Sequence, residues 1–144
     1  MRILWITHDV FEPFFPYAKG KPTHSASWTT PLFNNLRDVE DVSLGAIAPV
    51  IDGEEQKMEI DKVIYYSIPI GKKGNITPME KRLVDKYLSA IRDFEPDIIH
   101  IHGTEENFGL IQNFTNIPVV ISIQGLLNSY TDKYFSGIPR HIAN

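Results

Sequence analysis

Two short runs constrain this chain more than any bulk property does. Asp97-Ile98-Ile99-His100-Ile101-His102-Gly103 and Pro118-Val119-Val120-Ile121-Ser122-Ile123-Gln124-Gly125 are β-branched, apolar and stopped by glycine. Each begins beside a proline, Pro96 or Pro118. Apolar and polar residues alternate only weakly in both. Strands of that kind are buried on both faces, as in a parallel sheet covered by helices. In an open parallel sheet the ligand crevice lies beyond the carboxyl ends of the strands. His102, Gly103, Gln124 and Gly125 fall at those ends.

The rest of the chain supplies matching pieces. Arg2 to Thr7 predicts a buried first strand, and Asp9 to Pro22 a loop rich in proline and aromatic residues. Ser25 to Arg37 has helical spacing, with Trp28, Leu32, Phe33 and Leu36 on one face. Pro31 fits if the regular helix begins near Thr30. Val42 to Ile47 and Val63 to Ile68 predict two further strands, with a polar turn from Asp52 to Lys57 between them. So short a link also admits a hairpin that would set one strand antiparallel. Thr77-Pro78-Met79-Glu80 is a helix start, with a capping threonine, a proline at the first helical position and a glutamate to close a capping box. Met79, Leu83, Val84, Tyr87, Leu88, Ile91 and Phe94 then recur at helical intervals. The alternation predicts one α/β domain over residues 1–144. Its sheet is expected to be doubly wound, mainly parallel and Rossmann-like, with helices on both faces and strand order 3-2-1-4-5.

Composition excludes several function classes. The net charge is −4, and the longest basic cluster is Lys72-Lys73. A nucleic-acid partner would need a basic stripe, so none is expected. The absence of cysteine rules out disulfides, thiolate catalysis and cysteine-type zinc sites. The apolar run at the N-terminus is too short for a signal peptide, and no stretch approaches the roughly 18 apolar residues of a membrane span. A cytoplasmic location is therefore the expectation. The Asn-x-Ser/Thr triplets at Asn75 and Asn113 are read as chance.

Several local patterns carry chemistry. His100 and His102 share one strand face and could meet one metal ion. The stronger reading is structural for His100, half-buried with its ring bonded to a backbone carbonyl, and functional for His102 at the strand end. No metal is expected. Thr104-Glu105-Glu106 suits a helix start, with Thr104 as cap and the carboxylates facing the helix dipole; Glu105 could also bind a hydroxyl. The loop after the first strand lacks both the dinucleotide fingerprint and a P-loop. His24, Ser25 and Ser27 still lead into a helix start, which suits an anion or a hydroxyl-rich ligand. Gly71-Lys72-Lys73-Gly74 reads as a solvated turn.

Taken together, Arg2-Ile3-Leu4-Trp5-Ile6, Ser25-Ala26-Ser27-Trp28 before a helix, Glu95 to Gly103 and Pro118 to Gly125 resemble the N-terminal domain of family 4 glycosyltransferases, which are retaining enzymes of GT-B architecture. The resemblance spans essentially the whole chain, in order. It implies that this is the acceptor-side domain, and that a donor-binding second domain lies outside these residues. The complete enzyme, of hexosyltransferase type, would move a sugar from a nucleotide-sugar donor to a carbohydrate or other hydroxyl acceptor; the 144 residues alone would be inactive. No cofactor is implied. The expected substrate-binding residues are His8, His24, Ser25, His102, Gly103, Thr104, Glu105, Gln124 and Gly125, with no catalytic residue assigned. Ser25 and Ala26 replace the pair of glycines usual in the family's first loop. Gln124 stands where a histidine is usual, and glutamine neither takes nor gives a proton near neutral pH. A peripheral membrane contact and self-association through residues 118–138 are compatible with this reading. The alternative is a stand-alone α/β carbohydrate-binding or signalling module without catalysis. Receiver and flavodoxin patterns fit poorly, because the acidic pair and the phosphate loop they require are missing.

Overall fold

The computed structural model describes residues 1–11, 21–22, 24–25, 28–51, 53–70, 81–104 and 107–123. The fold is α/β, built on a mostly parallel sheet. Strand β1 (Arg2–Ile6) lies between β5 (Ser43–Ile51) and β8 (Ile98–His102), parallel to both. Beyond β5 lies β7 (Val63–Ile70), and beyond β8 lies β9 (Val119–Ser122), each parallel to its neighbour. Strand β6 (Gln56–Ile60) closes the β7 edge in the antiparallel sense. The two-residue strand β3 (Lys21–Pro22) pairs with the end of β5, while β2 (Asp9–Val10) and β4 (His24–Ser25) form a separate parallel pair.

Strands β1, β5 and β7 are largely buried because each is apolar on both sides. Strand β9, expected from its apolar run to be buried on both faces, has no buried residue and leaves Val120 46% exposed, because among the described strands it pairs only with β8. On one face Leu4, Ile6, Ile47, Ile68, Ile99 and Ile101 pack under helix α2 (Lys81–Phe94), which contributes Val84, Tyr87, Ile91 and Phe94. On the other face Ile3, Trp5, Ala46, Ala48 and Tyr65 pack against Phe33 of helix α1 (Thr29–Arg37) and against Phe11. Gly45 lets α2 settle onto the sheet. A Cβ there would come within 2.8 Å of Phe94 Cε2 and 3.0 Å of Leu4 Cδ1. The end of α2 is fastened by Arg2. Its guanidinium donates to the carbonyls of Phe94 and Glu95 and lies 4.7 Å from the centre of the Phe94 ring.

Several expectations are corrected. The segment expected as a polar turn, Asp52 to Lys57, gives its last two residues to strand β6. The residues of β6 alternate in exposure, with Gln56, Met58 and Ile60 half-buried and Lys57 and Glu59 exposed. That pattern suits a strand covered on one face. The hairpin is not between the second and third predicted strands, which are parallel; it joins β6 to β7. Asp61 and Lys62 form its two-residue turn with φ of 50° and 67°. Positive φ at both central positions matches the twist of the flanking strands. Asp-Lys is not among the usual residues of such turns, so the sequence did not signal it. Helix α1 starts at Thr29 rather than Ser25, and Ser25 belongs to β4. Pro31 is the third helical residue, still within the first turn, whose N–H groups have no intrahelical acceptor. Of the face predicted for this helix, Phe33 is buried, but Trp28 is 47% and Leu32 44% exposed. The segment after β8 is a 3-10 helix, Asn107–Phe114, instead of an α-helix. The capping box at Thr77 and the Gly71 to Gly74 turn lie outside the described residues. No described helix is long and apolar enough to cross a membrane.

Candidate functional site

The site is built at the carboxyl ends of β1 and β8. The register sets Trp5 beside His100 and His102 beside Ser122, and strand alternation puts all four side chains on the α1 face. The Trp5 indole lies 3.9 Å from the His102 ring and 5.4 Å from the His100 ring, centroid to centroid. The two imidazoles are 4.1 Å apart. Trp5 is held from behind by Phe33 at 5.2 Å and Phe11 at 6.1 Å, and those two rings stack on one another.

Within this cluster His100 and His102 differ sharply. His100 is half-buried, and its Nε2 lies 2.7 Å from Ser122 Oγ. Its partner is thus a hydroxyl on the neighbouring strand, not the backbone carbonyl expected from sequence. His102 is 1% exposed, and neither of its ring nitrogens has a hydrogen-bond partner among the described residues. The Trp5 indole N–H is likewise unpartnered. Three polar atoms are therefore buried together without partners, a costly arrangement of about 1–3 kcal/mol for each group. Burial, followed by the proximity of His100 and then His8, pushes His102 down to about 3, so its ring stays neutral at ordinary pH. Burial also lowers His100. A neutral imidazole offers one donor and one acceptor.

The neighbouring groups complete the wall. Gly103 ends β8 with φ of 92°, a backbone turn that glycine adopts without a Cβ clash, and its N–H donates to the Ser122 carbonyl at 2.9 Å. His8 Nε2 is 3.7 Å from Asp9 Oδ1. The Asp9 carboxylate is buried and accepts a 2.6 Å hydrogen bond from Thr29 Oγ1 at the start of α1, where the helix dipole also favours negative charge. Trp28, the residue before α1, lies over His102 with ring centroids 5.8 Å apart. Among the described residues no group of three or more histidine, aspartate or glutamate side chains could hold a metal ion.

Of the residues expected from sequence, His8, His102 and Gly103 come together here, and Thr104 follows directly. His24 and Ser25 are brought alongside Asp9 and Val10 by the β2–β4 pairing. Glu105, Gln124 and Gly125 lie outside the described residues. Sequence reasoning missed Trp5, Trp28, Asp9 and Ser122. Trp5 and Trp28 were read as core residues, and no sequence signal reveals that β9 slides into register to put Ser122 against His100. Comparison with protein-family models, with curated proteins and with solved structures gives no match.

Proposed function

We propose that this chain is the acceptor-side, Rossmann-like N-terminal domain of a retaining GT-B glycosyltransferase. In the complete enzyme a second α/β domain would hold most of the nucleotide-sugar, and the sugar would pass to an acceptor hydroxyl at the strand ends described above. We read the parallel strands as the order 3-2-1-4-5, with β6 added outside. On that reading the sheet reverses its winding between β1 and β8, where a ligand crevice is expected. The observation that carries the proposal is His102: buried at that point, neutral, and with both ring nitrogens and the adjacent indole N–H without a partner among the described residues. A sugar hydroxyl donates and accepts at once, so it complements such a wall better than a purely anionic group does. Gly103 lets ligand approach the backbone. His8, His24, Ser25, Thr104, Glu105, Gln124 and Gly125 are assigned to the same crevice, and Gln124 contributes hydrogen bonds without proton transfer.

The test is titration of the chain with nucleotide-sugars, free nucleotides and simple glycosides, followed by two-dimensional NMR of the indole N–H and imidazole signals. Sugars are expected to shift the Trp5 indole and His102 resonances, and His102→Ala to weaken binding about tenfold, a loss of about 1.4 kcal/mol. Sugar transfer by the 144 residues alone is expected to stay at background, because donor and acceptor must be held together for catalysis. No response to any sugar would overturn the proposal. Turnover by this chain alone would overturn its two-domain form.

A further inference from the structure

An exposed aromatic side chain at this corner has no part in the function proposed so far. Trp28 precedes α1, is 47% exposed, and lies over the His102 ring at 5.8 Å. A tryptophan in that position is expensive to leave in water, because its ring is large and apolar. It is not needed to cap the helix, since no side-chain cap bond forms at that position. One ring further in is a buried histidine whose nitrogens have no partner among the described residues. The arrangement is layered, with an open apolar plate outside and orphaned polar atoms behind it. We propose that Trp28 is a sugar-stacking residue: its open face receives the C–H face of a pyranose, and this contact selects among sugars by the stereochemistry of their ring hydroxyls. The inference rests on the glycosyltransferase reading and names its specificity-determining residue.

A pyranose is apolar on the faces of its ring and polar round its rim. An exposed indole plate matches the apolar face, and pockets for small polar ligands commonly combine aromatic walls with a few placed polar atoms. Stacking also gives a stereochemical filter. An axial hydroxyl on the stacked face lifts the ring off the indole, whereas a face with only axial hydrogens lies flat. Insertion of Trp28 and Leu32 into a lipid surface is the competing use of the same exposed residues. Helix α1 is poorly equipped for that. Its polar side chains are Thr29, Thr30, Asn34, Asn35 and Arg37, and Arg37 is already paired with Asp38 at 2.9 Å. Interfacial helices carry lysine and arginine along the polar face.

The chain has two tryptophans, and Trp5 is fully buried, so emission changes caused by contact at the surface report on Trp28. Tryptophan fluorescence is titrated with methyl β-glucoside, methyl β-galactoside, methyl α-mannoside, uridine diphosphate, and vesicles of phosphatidylcholine with phosphatidylglycerol. The expected result is a shift with glycosides, with dissociation constants that differ at least about threefold among the epimers, and no shift with vesicles. Binding to Trp28→Phe and Trp28→Ala, which lack this reporter, is followed by the NMR signals of Trp5 and His102. Trp28→Phe should keep most of the affinity, and Trp28→Ala should lose about tenfold or more together with the epimer preference. Sugar binding that is lost in His102→Ala but unchanged in Trp28→Ala would overturn this inference and leave the glycosyltransferase reading standing. A vesicle-induced shift abolished by Trp28→Ala, without a glycoside shift, would replace stacking with membrane contact. No glycoside response in fluorescence or NMR would overturn both the inference and the reading beneath it.

Discussion

Under α2 the sheet is sealed by isoleucine, leucine, tyrosine and phenylalanine; under α1 its carboxyl edge carries an indole, two imidazoles and a serine hydroxyl. The first face is built for cohesion. Leu4, Ile6, Ile47, Ile99 and Ile101 are fully buried, and Tyr66, which reaches the rim, gives its hydroxyl to Asp93 at 2.5 Å. Asp93 also takes Lys57 at 2.6 Å. These polar groups sit at the border and are paired. The second face carries its polar groups inward, and three of their atoms have no partner among the described residues. Stability that could have been gained by placing leucine at position 102 has been given up. Faces that trade away stability in this way are where function is expected.

The contrast is sharpest if a large side chain is deleted on the cohesive face. Phe94→Ala removes a fully buried ring that packs on Leu4 and against Gly45, and should destabilise the fold by about 3–5 kcal/mol in urea unfolding. A loss below about 1 kcal/mol would show that α2 is not the main anchor of the sheet.

On the other face the expected effect is smaller and depends on pH. Unfolded histidine titrates near 6.5, whereas folded His102 is held down to about 3. Between those values the unfolded chain binds the extra proton, so stability is full above about pH 6.5 and falls as the pH is lowered toward 3. At pH 5 this single group should cost about 2 kcal/mol relative to neutral pH. His100, lowered in the same direction, adds to the slope. His102→Leu should flatten much of that slope and raise stability at pH 7 by about 1 kcal/mol, since it removes two unpartnered nitrogens from the interior. If His102→Leu destabilises the protein at pH 7 and leaves the slope unchanged, the ring is integral to packing and the two faces are alike.

The smallest expected effect concerns the junction of α2 and β8. Glu95 follows the helix with φ of 51°, a left-handed conformation that favours glycine. Its N–H donates to the Ile91 carbonyl and its own carbonyl accepts from Arg2, contacts that depend on the backbone alone. Glu95→Gly should therefore raise thermal stability slightly, by about 0.5–1 kcal/mol. A decrease would mean that the exposed glutamate side chain contributes more than its backbone strain costs.

The sequence disclosed the parallel strands because β-branched runs beside proline and before glycine are a local signal. Helix α2 was legible for the same reason, through apolar residues at every third or fourth place. What escaped depends on distant pairing. The start of β6, Gln56 and Lys57, reads as turn until β7 is present to hydrogen-bond it, and Ser122 has no visible tie to His100 until β9 is in register with β8. At the site, His8, His102 and Gly103 were legible from their places at strand ends. Trp5 and Trp28 were not, because an apolar residue at core spacing looks the same whether it fills a core or walls a crevice.

Strand β6 also bears on how the chain avoids a wrong order. Strands 5, 6 and 7 follow one another in sequence and alternate in direction, so a simple meander, with β6 in the middle, would be the locally cheapest arrangement. The observed sheet instead places β7 between the other two. The charges on β6 account for the choice. Lys57 and Glu59 pair with Tyr66 and Ile64, on the side of the sheet that α2 covers. At the edge they reach water, and Lys57 meets Asp93; in the middle they would be trapped beneath the helix, where an unpaired charge is very costly. Strand β7, apolar on both sides, tolerates the central place. Two charged residues on an edge strand thus act as a sorting rule for the whole sheet, favouring a longer crossing over the nearest available neighbour.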